Sequence, residues 1–405
     1  MEATYSAART TGLVDSFGQM NFGACVLGDQ RLVKRAVLSA DALLRHPGGT
    51  LPHKLPRKEL LGFYDLANNP KVNHQNMLTA HQQHTRAAMQ DCRGTVLVIH
   101  DTTEADYSGL AIADLGQIGH GGNRGLLLHN VLAVGYAQRQ VLGLVGQFVH
   151  VRRRVPRGEG KAARRRHPQR ESRLWVRGVE AVGAAPTGKQ WVNLMDRGGD
   201  SYESLARQEH GGQFYVVRSQ TSRHIEVLDA GGRRRRAKLH SWARKRPTLG
   251  QRTVNVAAQE GQPARQVQVR VAAGAVRLVP PRQRCGEYTV RPLDVWVVHV
   301  QEIDAPRGVA ALEWFLLTNV PTATRKQAWE RVDWYECRPL IEEYHKAQKT
   351  GCGMELPQFT TRKALEVTIA MTWVHGLLRG FTGGPGAQPV VGQAVVVAAP
   401  QGAQS

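Results

Sequence analysis

The sequence predicts an α/β protein built from several units. Three observations carry that expectation. The first 75 or so residues have helical spacing and many Arg and Lys side chains. From about 94 to 220, short apolar runs alternate with segments of helical period. From 222 to 310, the pattern turns to period two with frequent turn residues. At 405 residues and 41% hydrophobic content, the chain can bury a large core and is not a disordered one. No stretch approaches the roughly 18 apolar residues that cross a bilayer, and "MEATYSAARTTG" has no apolar signal core. A cytosolic protein without a membrane partner is therefore expected. The five cysteines, Cys25, Cys92, Cys285, Cys337 and Cys352, include no Cys-x-x-Cys pair, so neither a disulfide framework nor a thiolate zinc site is indicated.

Charge restricts the partner. Fifty-four Lys and Arg against 33 Asp and Glu give +21. Residues 151–180 hold eleven basic and three acidic side chains, and residues 221–250 nine and two, so these two segments carry +8 and +7 of the excess. A polyanion suits such a surface because each neutralised phosphate releases a condensed counterion. Neither segment has the broad apolar face of an interfacial helix, which favours nucleic acid over a membrane surface.

The elements follow in order. "DQRLVKRAVLSADALLRH" places Leu32, Ala36, Ala40 and Leu43 along one side of a helix, and "LPRKELLGFYDLANNPKV" forms another, closed by Asn68-Asn69-Pro70. "TVLVIHD" reads as a strand ending in Asp101, followed by the strands "LLLHNVLAVGY" and "QVLGLVGQFVHV". "ESRLWVRGVEAVG" is helical, "KQWVNLMD" a strand ending in Asp196, "SYESLARQ" a helix with Asp200 as N-cap, and "QFYVVRS" a fifth strand. "RQVQVRVAAGAVRLV" and "LDVWVVHVQEI" suggest a separate β-rich unit, after which the strand "EWFLLTN" leads to a last helical region. No charged residue follows Arg379, and "GFTGGPGAQPVVGQAVVVAAPQGAQS" reads as a disordered tail after a short helix.

Within "YECRPLIEEYHKAQKTG", Tyr335, Arg338, Glu342 and Lys349 fall within about 60° of one another at about 100° per residue, a polar stripe on one helix face. Alone, that stripe is a solvated face. With Asp101 and Asp196 at strand ends, however, the element order brings three carboxylates towards one sheet edge. Three such groups repel one another unless they hold hard cations such as Mg²⁺ or Mn²⁺. Two ions about 4 Å apart can activate a nucleophile and stabilise the leaving oxygen of a phosphodiester.

These residues resemble the DDE transposases of bacterial insertion sequences, specifically the insertion-sequence-four group with its Y-R-E-K signature, and Tyr335, Arg338, Glu342 and Lys349 match every interval of it. "HDTTEADY" looks like the first-aspartate motif, "LMDRGGDSYESL" like the second, and "SFGQMNFGACVLGDQRLVKRA" like the N-terminal end-binding domain. The resemblance covers about residues 15 to 360. It implies a helical DNA-binding domain (1–75), a ribonuclease-H-like catalytic core (76–221 and 311–360), a β-rich insertion (222–310) and a terminal segment (361–405). It implies cut-and-paste transposition: Asp101, Asp196 and Glu342 as ligands of two Mg²⁺ or Mn²⁺ ions, nicking at inverted repeats, strand transfer into target DNA and a homodimer pairing the ends. Tyr335, Arg338 and Lys349 would grip the DNA backbone, with Lys346 assisting or replacing Lys349. Trp314 would stack a flipped base or else be a buried strand aromatic. Arg218 matches the basic residue after the second aspartate, and Arg31 and Arg35 match end-recognition contacts or solvated helix positions. The setting would be the bacterial cytoplasm, at the nucleoid.

Two departures accompany the match. Pro339 disfavours helix at Arg338 and can itself start one. The charge-free tail replaces the helical region through which such proteins pair, which leaves a DNA-binding remnant or inhibitor as the alternative reading. Glu343 reads as a salt-bridge partner, Asp106 and Asp200 as loop and cap residues, "GHGGNRG" as a mobile loop, and His129 and His299 as core histidines.

Overall fold

The computed structural model describes residues 16–45, 49–229, 231–256, 263–282, 290–381 and 395–396. It opens with five helices: α1 (Phe17–Phe22), α2 (Gln30–Arg45), α3 (Leu51–Lys54), α4 (Arg57–Asn68) and α5 (His74–Asp91). The helices α2 and α4 are those whose apolar spacing announces them. Polar residues dominate α5, which lacks such a stripe and is missing from the sequence reading. It is nonetheless buried, because its polar groups find internal partners: His81 Nδ1 is 2.8 Å from Asn21 Oδ1, Leu144 N donates to His81 Nε2 at 3.0 Å, and His74 Nε2 is 2.6 Å from Gln147 Oε1. Asn73 caps it, accepting from Asn76 N at 3.0 Å, while Asn76 Oδ1 accepts from Asn73 N at 2.8 Å.

A large sheet follows. Its strands are β1 (Thr95–Asp106), β2 (Gly116–Gln117), β3 (Arg124–Gly135), β4 (Gln140–His150), β5 (Gln190–Met195), β6 (Phe214–Arg218), β7 (His224–Leu228), β8 (Arg234–Lys238), β9 (Gly250–Val256), β10 (Arg265–Leu278), β11 (Leu293–Glu302), β12 (Glu313–Thr318) and β13 (Val395–Val396). The central part runs β4-β3-β1-β5-β6. There β3 is antiparallel to β1 and β4, while β5 is parallel to β1 and β6 to β5. Helices α6 (Lys161–Arg166), α7 (Arg173–Val182) and α8 (Tyr202–His210) lie between β4 and β6 in the chain. Ser201, rather than the expected Asp200, caps α8, its hydroxyl accepting from Ser204 N at 3.0 Å. Successive residues of β1 enter different cores: Leu97 and Ile99 join one cluster, Val96 and Val98 another. Burial on both faces explains why β1 and β5 read as unbroken apolar runs.

The β-rich segment is not a separate unit. Its strands continue the same sheet, β9-β10-β11-β12-β6, with β7 and β8 as a ribbon off β10. The β11–β12 ladder (Val298 opposite Leu316) and the β12–β6 ladder (Leu317 opposite Val217) leave no gap between insertion and core. Helix α9 (Leu239–Arg244) precedes β9, and α10 (Arg325–Tyr335), α11 (Leu340–Lys346) and α12 (Arg362–Phe381) close the chain. Instead of a short helix, α12 has 20 residues; it packs on α4, α5 and α2, and His375 Nε2 lies 2.7 Å from Ala40 O. Of the tail beyond Phe381, only Val395 and Val396, paired with β9, lie within the described residues. No described helix is long and apolar enough to cross a membrane, and Cys25, Cys92 and Cys337 are free thiols.

Candidate carboxylate site

Sheet register creates the site. The parallel β1–β5 ladder ends at His100 opposite Met195, so the next residues, Asp101 and Asp196, emerge side by side. Contrary to the sequence reading, Asp101 does not end its strand: β1 runs on to Asp106 because β3 continues to pair with it, Asp101 facing Asn130. Asp196 does leave the sheet, its Oδ1 accepting from Gly198 N at 2.8 Å in a 3₁₀ turn.

The third carboxylate arrives differently from expectation. Tyr335, Arg338, Glu342 and Lys349 do not share one helix face. The helix α10 ends at Tyr335, the chain turns through Pro339 (φ −58°), and α11 begins at Leu340. Proline has no N–H to give to an ongoing helix and is tolerated only at such a start. Lys349 lies beyond α11 in a π-helical turn, Ala347–Gly351, with its Nζ 3.9 Å from Glu355 Oε1. Lys346 is exposed.

Even so, three distant acids meet on one guanidinium. Arg338 Nη2 is 3.0 Å from Asp101 Oδ2 and 3.9 Å from Asp196 Oδ2, and Arg338 Nη1 bonds Glu342 Oε1. Three carboxylates against one guanidinium leave two negative charges uncompensated within the cluster. Burial raises the Asp101 carboxyl to about 7; Arg338 pulls it down, while Asp196 and Glu342 push it up. Burial would lower the Arg338 guanidinium, but Asp101 and the other acids hold it above its ordinary value.

A buried polar chain that the sequence did not reveal backs Asp101. His345 Nδ1 stands 3.9 Å from Asp101 Oδ2, and its Nε2 lies 2.9 Å from Asn130 Nδ2. Gln147 Nε2 donates to Asn130 Oδ1 at 3.2 Å, and Gln147 Oε1 meets His74 Nε2. Burial, then Lys349 and Arg338, lower His345 to about 3, so it is neutral. With Asn130 Nδ2 donating to Nε2, its proton sits on Nδ1, towards Asp101. The register of β1, β3 and β4 lines up Asp101, Asn130 and Gln147, while α11 and α5 bring His345 and His74 to them, and no spacing along the chain encodes that.

Other candidates lie deeper or elsewhere. Trp314 is 3% exposed and meets Tyr335 edge-on at 5.2 Å, with the Arg218 guanidinium 5.8 Å from its ring centre. Trp314 therefore presents no open face to a base here; of the two readings it is the buried strand aromatic. Tyr335 and Arg218 are also buried, Arg218 Nη2 donating to Glu313 O at 3.3 Å. Burial raises the Tyr335 hydroxyl and lowers the Arg218 guanidinium. Arg31 and Arg35 stand on α2, outside this cluster. Arg31 Nη2 pairs with Asp29 Oδ2 at 2.8 Å, and the two arginines line a shallow cleft against α4. Asp106 caps a loop, accepting from Ser108 N at 2.8 Å. Asp200 is held by Arg223 at 2.5 Å, His129 Nδ1 is 2.8 Å from Thr102 Oγ1, and His299 Nε2 is 2.8 Å from Glu313 Oε1.

Among the described residues, no group of three or more His, Cys, Asp or Glu side chains is close enough to hold a metal ion. Arg338 fills the centre of the carboxylate cluster. In kind, though not in their spacing here, the donors are those a hard divalent cation takes, all of them carboxylate oxygens.

No family model matches the chain. Among solved structures it is similar to the piggyBac transposase synaptic complex with hairpin DNA, at TM-score 0.31 and 7% identity, over 72% of this chain and 48% of that one. The chain thus spans about half the length of that protein, and a likeness this low carries no argument about function.

Proposed function

We propose that this protein is a DDE transposase with a ribonuclease-H-like core. In this reading it cuts DNA at inverted-repeat ends and joins the freed 3′ ends to target DNA, as a homodimer acting on the bacterial nucleoid. One observation carries it: acids from three separate motifs, Asp101, Asp196 and Glu342, reach a single guanidinium. The order β4-β3-β1-β5-β6 also supports such a core, since it sets the carboxylate-bearing positions of β1 and β5 next to each other.

Asp101, Asp196 and Glu342 would hold the ions. Bound there, two divalent ions supply acidity to the attacking water or 3′-hydroxyl and stabilise the departing oxygen. In the first step a water oxygen bonds phosphorus, the P–O3′ bond breaks, and the 3′-oxygen leaves with a proton. In the second that hydroxyl attacks a target phosphate and displaces its 3′-oxygen. Arg338 exchanges partners: its fork turns from the carboxylates to a phosphate, which it can grip bidentately. His345, neutral and directed at Asp101, orients that carboxylate. Lys346 and Lys349 contact the backbone further out.

The purified chain should nick a duplex carrying its own inverted repeats in Mg²⁺. Asp101→Asn, Asp196→Asn and Glu342→Gln should each lower nicking about 10³-fold, roughly 4 kcal/mol of barrier, with duplex affinity unchanged. A triple variant that nicks like wild type sinks the assignment. Tight binding with no cleavage by the wild type would favour the DNA-binding remnant.

A further inference from the structure

An arginine-lined cavity lies apart from Asp101, Asp196 and Glu342. It lies where β2, the end of β4, the segment from Val151 to Arg173, α7 and the start of α12 come together, and holds about 1360 Å³. Nine arginines and three acids line it. Two of those arginines, Arg124 and Arg362, come from outside the basic runs evident in the sequence. The other basic run, 221–250, contributes nothing to it.

Much of the charge is matched internally. Arg152 pairs with Glu171 at 2.6 Å, Arg362 with Asp114 at 3.1 Å, and Arg173 with Glu203 at 3.0 Å. Four guanidiniums form no ion pair among the described residues. Arg124 and Arg164 donate only to carbonyl oxygens, Arg177 lies over Phe148 at 4.6 Å, and Arg154 is exposed. Burial and the adjacent Arg173 hold the Arg177 guanidinium below its ordinary value.

We infer that this cleft seats the phosphate backbone of a second duplex DNA segment, distinct from the one at the carboxylates. Its volume exceeds the roughly 300–1,000 Å³ of small-molecule pockets, and the charge on its lining is strongly positive, nine arginines against three acids. No Phe, Tyr or Trp lines it, so it offers no platform for the stacked bases of a single strand. Arginine forks without base-edge partners suit sequence-independent phosphate contact. Register sets the separation. His150, in the cleft wall, is three residues along β4 from Gln147, which lies two strands from Asp101; about 3.3 Å per residue and 4.8 Å per strand place it on the order of 15 Å from the carboxylate. A protein that joins cut ends to new DNA must hold two duplexes, so the inference rests on the function proposed above.

The test uses the full chain and a labelled 40-base-pair duplex of arbitrary sequence, its affinity measured by anisotropy from about 50 to 300 mM salt. Arg154→Glu with Arg164→Glu should lower the slope of log affinity against log salt by about 1–2, near 0.9 per lost phosphate contact. Arg154→Gln with Arg164→Gln should give a smaller drop, with thermal melts confirming that each variant is folded. Arg93→Glu with Lys326→Glu, the same charge change outside the cleft, should leave the slope within about 0.3. Unchanged slopes in the cleft variants, or equal losses in cleft and control variants, overturn the inference. So does an RNA duplex that binds wild type about tenfold tighter than DNA. A slope loss confined to the cleft variants, in a chain that never nicks, upholds the cleft and sinks the catalytic reading instead.

Discussion

Arg338 is the residue on which the site turns. It is 15% exposed, as is Asp101 at 14%, so their interaction is little screened by water, whereas Glu342 at 41% is half in solvent. Removing the guanidinium leaves three carboxylates facing one another. Arg338→Ala should therefore destabilise metal-free protein by about 3 kcal/mol, and millimolar Mg²⁺ should recover much of the loss. Melting temperatures in chelator and in Mg²⁺ check this; an equal deficit in both would show that the cluster does not select a divalent cation. Trp314→Ala removes a buried indole and should cost about 3–5 kcal/mol of stability, read in urea titrations. At this scale the sequence disclosed the three acids and Arg338 through their motifs. It was silent on Asn130 and Gln147, whose roles come from strand register, and on His74, which α5 brings against Gln147. It also left Trp314 between two readings, because an aromatic in an apolar strand looks the same whether it faces a core or a ligand.

At the scale of elements, the close seating of α7 on the sheet depends on Gly178. A Cβ there would lie 2.7 Å from His100 Nδ1 and 2.9 Å from His129 Nε2, two buried rings of β1 and β3. Gly178→Ala should cost about 1–3 kcal/mol and broaden the amide spectrum around both histidines; a neutral effect in a chemical melt would mean that α7 sits further from β1. The strands were legible where burial on both faces made unbroken apolar runs. The end of β1 was misplaced because its last residues, Thr102 to Asp106, are polar but for Ala105 yet still paired to β3. Pro339 marked the helix break correctly as a possibility, but nothing in the sequence announced the π-helical turn that carries Lys349 towards Glu355.

Across the whole molecule, the continuous sheet was the feature least visible in the sequence. Period-two patterning identifies strands without saying which sheet they join, so 222–310 read as a separate unit until β11 and β12 closed the gap. Buried histidines give the molecule a pH dependence. Burial lowers His74 to about 4, His81 to about 3 and His100 to about 4, so the unfolded chain takes up protons near pH 6.5 that the folded state refuses. Their contribution to stability is present above that value and is lost as pH falls towards 4. Asp101, raised to about 7, acts oppositely, since the folded state binds its proton first. These three histidines, together with the neutral His345, outweigh one aspartate, so net stability is lost as pH falls below 6.5. Urea midpoints at pH 7.5, 6 and 5 in metal-free buffer should decline steadily; a flat profile would mean that these histidines are not buried neutral. The convergence of three acids on a cation position is tested most directly by anomalous diffraction at the manganese edge, from crystals of the protein with Mn²⁺ and a duplex end. The account predicts manganese peaks at bonding distance from Asp101, Asp196 and Glu342, with the Arg338 fork turned to a phosphate. Peaks only elsewhere, with Arg338 still joining the three carboxylates, would contradict it.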